Sequence, residues 1–244
     1  FEHQTELQDA IGNITLGGAM SYKSVIGETW AQQLSDALSS SQTLATATSG
    51  VALSATFPTD SLGQQFEQMA RVMAARTNLG EERQVFYVKQ GGFDTHASLK
   101  DTVDSNFQNI NAALEAFETE MKAQGLWDDI IIQTSSDFGR TYASNGAGTD
   151  HAWGGNYFML GGAVNGSQLF GDFPSSFIET SDVIISRNGR IIPTTPWEAV
   201  WYGLAEWFGV PLADMGEVLP NAAKFPNETL FRASATDGRA GLTV

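Results

Sequence analysis

Ile130-Ile131-Ile132-Gln133-Thr134, running directly into Ser135-Ser136-Asp137-Phe138-Gly139-Arg140-Thr141, reads as a strand that ends in an acidic, glycine-flanked loop. Three β-branched apolar residues in succession are too apolar for a one-sided strand, so this one is expected to be central and covered on both faces. Upstream, Gln84-Val85-Phe86-Tyr87-Val88-Lys89 has the length and composition of a second strand and runs straight into Gly91-Gly92-Phe93-Asp94-Thr95-His96. Between the two, Phe107, Ile110, Leu114, Phe117 and Met121 mark a long amphipathic helix that Gly125 stops. Leu62, Phe66, Met69 and Met73 predict an earlier helix over about 61–78, ending near Gly80.

Downstream, a Gly/Ser/Asn loop reaches Gly148-Thr149-Asp150-His151, and Tyr157-Phe158-Met159-Leu160 makes a third strand. Short strands are expected around 183–186 and 190–192. Pro196 then opens a helix with Trp197, Val200, Trp201, Leu204 and Phe208 on one face, the first two tryptophans in the core. Alternating strands and helices predict an α/β protein with a central mixed sheet and helices on both faces. Residues 1–60 carry weak periodicity and read as an irregular N-terminal extension to a domain over 61–244. Within it a short helix is expected over 28–38, with Trp30, Leu34 and Leu38 on one face, and the Ser/Thr/Ala-rich stretch 39–54 reads as loop.

Lys+Arg 13 against Asp+Glu 28 gives a net charge of −15. Such a surface repels phosphate backbones and anionic lipid, which argues against nucleic acid and membrane surfaces as partners. No run approaches the roughly 20 apolar residues of a membrane-spanning helix, and membrane insertion is not expected. The absence of cysteine removes thiol nucleophiles, zinc–thiolate sites and disulfides. An anionic substrate would need local positive charge, from a metal or an arginine, to overcome the field of the chain.

Ligands gather at strand ends in open α/β sheets, because loops converge there without disturbing the core. Asp94 and His96 follow one strand and Asp137 the next. If the 157–160 strand runs antiparallel to its predecessor, Asp150 and His151 return to the same edge. Imidazole nitrogen with carboxylate oxygen is the donor mix of zinc, manganese or iron, whereas calcium takes more oxygens and no histidine. The expected cofactor is therefore a divalent metal, zinc or manganese before calcium. Two of the three histidines fall in these loops. Simpler roles stand beside this one: Asp94 as the cap of the following helix, Asp137 as the cap of a turn. Arg140 is a candidate substrate-binding residue, gripping a phosphate- or sulfate-like group, or else the partner of Asp137 or another acid. Trp153 lines a pocket or enters the core.

Gly91-Gly92-Phe93-Asp94-Thr95-His96, Ser136-Asp137-Phe138-Gly139-Arg140-Thr141 and Gly148-Thr149-Asp150-His151 resemble, in order, the signatures of the family called domain of unknown function fifteen-zero-one. Ile192-Pro193-Thr194-Thr195-Pro196 and Trp207-Phe208-Gly209-Val210 are similar to its C-terminal section, so the likeness covers about residues 60–225. The family is usually placed with alkaline phosphatases and sulfatases, which implies an α/β/α sandwich with one or two metals at its edge. By that likeness Asp94, His96, Asp137 and His151 hold metal, with Asp150 beside them, and the ion polarises a phosphoryl or sulfuryl oxygen.

The resemblance also implies export, to the periplasm or the exterior. It implies an N-terminal portion, carrying a further strand and the nucleophile, that is not found in these residues, and Ser-x-Pro-x-Arg is absent as well. The expected partner is that N-terminal fragment, or another chain completing the sheet. Two functions follow: a metal-dependent hydrolase of phosphate or sulfate esters, or a non-catalytic structural or binding protein that retains the fold.

Overall fold

The computed structural model describes residue 6 and residues 9–10, 25–178, 181–185, 188–225, 232–234 and 241–243. Their contacts divide the chain into two units, Phe1–Leu53 with Gln68–Phe86, and Ser54–Glu67 with Tyr87–Val244.

The described residues of the first unit are mostly helical. Helix α1, Val25–Thr48, runs on through 39–48, where the Ser/Thr content predicted a loop. No Gly or Pro interrupts those residues, and the helix backbone satisfies their hydroxyls: Thr43 Oγ1 donates to Ser39 O at 3.0 Å and Thr48 Oγ1 to Leu44 O at 2.8 Å. The helix stops only before Gly50, whose φ of 122° lies outside helical space. Ala31 is buried, while Val25, Ile26 and Trp30 are exposed. Arg71, on the part of helix α2 (Ser61–Ala74) that belongs to this unit, donates to Val51 O at 2.6 Å. The helix expected over 61–78 is two helices, α2 and a single turn α3, Arg76–Leu79, capped by Gly80 at φ 72°.

In the second unit Asp60 starts α2 by accepting from the amides of Leu62 and Gly63 at 2.9 and 3.0 Å. Gly63 is required there, because a Cβ would stand 2.2 Å from Pro58 O. The rings of Phe66 and Phe117 meet at 5.1 Å in the core of this unit, with Leu62, Ala113 and Met121 buried. Helix α4, Leu99–Ala123, turns Asn106, Ala113, Phe117, Glu120 and Met121 inward. Phe107, expected on that face, is half exposed, since the inward stripe passes through Asn106 instead. Glu120 is buried yet satisfied: its Oε2 accepts the amides of Ser54 and Ala55 at 2.7 and 2.8 Å.

The strands are short. β1 (Ile132–Gln133) pairs antiparallel with β4 (Met159–Leu160), and β2 (Gly139–Arg140) pairs antiparallel with β3 (His151–Ala152). A third pair, β5 (Arg232–Ser234) with β6 (Gly241–Thr243), lies against helix α5, Trp197–Phe208. Helices mixed with small sheets agree with the α/β class, but among the described residues the strands form two-stranded pairs instead of one broad sheet.

The segment 84–89, expected as a strand, joins no ladder among the described residues. The side-chain amide of Gln65 takes the place of a neighbouring strand at Lys89, accepting its N–H at 2.9 Å and donating to its carbonyl at 3.0 Å. Val85 and Tyr87 are left exposed. The strands expected at 183–186 and 190–192 reduce to an antiparallel bridge between Ile184 and Ile191, residue 186 lying outside the described residues. In α5 the buried positions are Ala199 and Gly203. Trp201, expected in the core, is partly exposed and stacks on Trp197 at 5.7 Å. Among the described residues no helix is long and apolar enough to cross a membrane.

Candidate metal centre

The antiparallel pairing of β1 with β4 turns the chain back on itself, so the loop after β1 returns to its starting edge. Within that loop β2 and β3 form a ribbon whose register sets Arg140 opposite His151. The third contributor, 92–97, is held by α4: buried Asn106 donates to Gly92 O at 3.0 Å, and Phe93 packs edge-on against Phe107 at 5.8 Å. Gly92 has φ 88°, a conformation that glycine adopts without steric cost.

Ribbon and loop are then joined backbone to backbone. Thr149 N donates to Thr95 O at 3.0 Å, and Gly148 lies so close that a Cβ would fall 2.3 Å from the same oxygen. Asn145 ties the turn together: its Oδ1 accepts the amides of Ala147 and Gly148 at 3.0 and 2.8 Å, and its Nδ2 donates to Asp150 Oδ1 at 3.1 Å and reaches His96 O at 3.4 Å.

These links bring Asp94, His96 and His151 together, with one ligand atom of each within 4.8 Å of the others. His151 Nε2 lies 2.9 Å and His96 Nδ1 3.2 Å from Asp94 Oδ1, and the imidazoles meet edge to face at 5.0 Å. Tetrahedral zinc with bonds near 2.0–2.1 Å would set ligand atoms about 3.3 Å apart, close to the separations already present. Two imidazoles and a carboxylate, all three solvent-exposed, form a donor set that fits a first-row divalent ion and leaves positions open to a ligand.

Supporting groups orient the three. Arg140 hydrogen-bonds Asp94 Oδ1 and Thr149 O, and its Nε donates to Thr149 Oγ1 at 3.0 Å. The arginine is thus the salt-bridge partner of Asp94. Phe138 lies against the His151 ring at 4.3 Å, and Arg190 Nε donates to His151 O at 3.1 Å. Desolvation, the largest single influence, pushes the Asp94 carboxyl up, but the hydrogen bonds with Arg140 and His151 and the charges of the two imidazoles together outweigh it. Its pKa lies below the ordinary carboxylate value.

The other expected ligands stand apart from this group. Asp150 is half-buried and bound by Asn145, and Asp137 is exposed outside the cluster. Asp94 does not cap helix α4, whose N-cap is Ser98 with no side-chain cap bond. Trp153 is exposed instead of entering the core. Asn145, Phe138 and Arg190 escaped the sequence reading, since Asn in a Gly/Ser loop reads as turn chemistry. The two-residue spacing of Phe138 and Arg140 was the available signal for Phe138.

The family described as "Protein of unknown function (DUF1501)" matches residues 19–183, and the chain belongs to that family. No curated protein and no solved structure matches the chain.

Proposed function

We propose that the chain is the metal-binding portion of an exported, alkaline-phosphatase-like α/β/α sandwich, and that it takes phosphate or sulfate esters at a divalent ion held by Asp94, His96 and His151. One observation carries the reading: an Asp–His–His set, brought together from two separate loops, with ligand atoms within 4.8 Å and open to solvent. Zinc or manganese, when bound there, supplies Lewis acidity toward a phosphoryl or sulfuryl oxygen. The chain's own residues do the positioning. Arg140 holds the Asp94 carboxylate and Phe138 backs the His151 ring, as outer groups around metal ligands commonly do. The order of the three motifs supports the superfamily assignment.

The second reading, ester binding without turnover, is favoured by the hydroxyls near the cluster. Thr95 and Thr149 are buried, and Thr149 Oγ1 accepts from Arg140, so neither is placed as an exposed nucleophile.

Calorimetric titration with zinc and with manganese tests the proposal. One ion per chain is expected, with affinity lost at least tenfold in His96→Ala and in His151→Ala, whose rings are exposed and whose removal leaves no cavity. Stoichiometric binding unchanged in both variants would place the ion elsewhere and end the reading.

A further inference from the structure

The two faces of the β2–β3 ribbon differ residue by residue. Gly139, Thr141, Ala152 and Gly154 are buried, and Phe138, Arg140, Tyr142, His151 and Trp153 alternate with them on the accessible side. Side chains two apart on a strand share a face. Arg140 and Tyr142, and likewise His151 and Trp153, are two apart and share the accessible side of this burial alternation, Tyr142 and Trp153 standing at bends just beyond the paired residues of β2 and β3. Contacts across that face agree: Phe138 lies 4.3 Å from the His151 ring, and the Arg140 guanidinium 5.8 Å from the Phe138 ring.

Trp153 and Tyr142 are 67% and 60% exposed. They stand at opposite ends of the β2–β3 pairing, and they are not equivalent. Tyr142 already has a ring stacked on it, Phe177 at 5.0 Å and 15°, braced in turn by Phe173. Trp153 has no ring partner among the described residues, so its indole is the open surface. An anion would need local positive charge here, since the chain carries −15 and Arg140 is paired with Asp94. A divalent ion held by Asp94, His96 and His151 would supply it and make this side locally positive.

We propose that Trp153 is a substrate platform, and that the ester taken at the cluster carries a planar aromatic group. Its anionic end meets the ion on Asp94, His96 and His151, and its ring lies on the indole. The anion's placement rests on the metal reading; the ring's rests on the ribbon face.

Phenylphosphonate and methylphosphonate share a non-hydrolysable head and differ in the ring. Their binding is measured by calorimetry, with and without zinc, beside a separate zinc titration. Phenylphosphonate is expected to bind the zinc-loaded chain about tenfold tighter, the scale of one aromatic stacking contact with its buried area. The preference should vanish in Trp153→Ala and persist in Tyr142→Ala, both with wild-type zinc affinity. Equal binding of the two phosphonates, no binding of either in both states, or a preference that survives Trp153→Ala overturns the platform. A chain that takes no zinc yet still prefers phenylphosphonate through Trp153 overturns the metal reading and leaves the platform standing.

Discussion

Gly148→Ala is the substitution that asks most of the site's architecture. A Cβ at Gly148 would lie 2.3 Å from Thr95 O, 2.5 Å from His96 C and 2.7 Å from Ala97 N, all backbone atoms that no rotamer change can move aside. Ordinary contact begins near 3.4 Å, so the 148–151 segment must retreat from 95–97 by about 1 Å. Overpacking of that kind costs about 1–3 kcal/mol. The retreat also stretches the Thr149 N to Thr95 O hydrogen bond of 3.0 Å, worth about 0.5–1.5 kcal/mol.

A destabilisation of about 2–4 kcal/mol is expected, lowering the urea midpoint by about 1 M or more. Because the same movement carries His151 away from Asp94, zinc affinity should fall by more than tenfold in protein that is still folded. Gly91→Ala serves as the control, since a Cβ there meets nothing within 4 Å and the backbone is not left-handed. Urea unfolding followed by circular dichroism, with zinc calorimetry at low denaturant, reads both effects. A Gly148→Ala protein with the wild-type midpoint and wild-type zinc affinity would refute the claim that this close approach assembles the site.

Asp137→Asn is expected to leave zinc affinity within about twofold of wild type, because Asp137 stands outside the cluster; calorimetry checks it. Zinc or manganese should produce little or no hydrolysis of 4-nitrophenyl phosphate by these 244 residues, and a robust rate lost in His96→Ala would replace the binding reading with an enzyme. The Asp94 pKa is lowered in the folded chain, so the stability it contributes is present above the ordinary carboxylate pKa and fades as pH falls through the lowered value. Asp94→Asn should accordingly lose its stability deficit relative to metal-free wild type at the acid end, and a deficit independent of pH would contradict the ion pairing. Phe117→Ala, at a fully buried ring against Phe66, should cost about 3–5 kcal/mol in chemical unfolding.

The residues that bear chemistry could be read from the chain because their local context is written there. Asp94, His96 and His151 sit in glycine-bearing segments beside strand-like runs, and neither a core helix nor a linker needs that combination. Helix α4 and its stop at Gly125 follow from 3.6-residue periodicity and a residue suited to φ 68°. The antiparallel return of 159–160 onto 132–133 was a condition the sequence could state but not decide.

Tertiary packing settled the rest. The helix over 39–48 is a local exception: its hydroxyls bond i−4 carbonyls of the same helix, which Ser/Thr content alone does not reveal. Whether 84–89 joins a sheet depended on what reaches its backbone, and the Gln65 amide does so at Lys89. Asp137, as well placed in sequence as Asp94, lies exposed outside the cluster. The guanidinium bridges Asp94 to Thr149 and holds that carboxylate beside the imidazoles. Local sequence sets a residue's chemistry and its half of a turn. Which partners lie within 3 Å is a long-range outcome of packing, carried here by a glycine at 148 with no room for a methyl group.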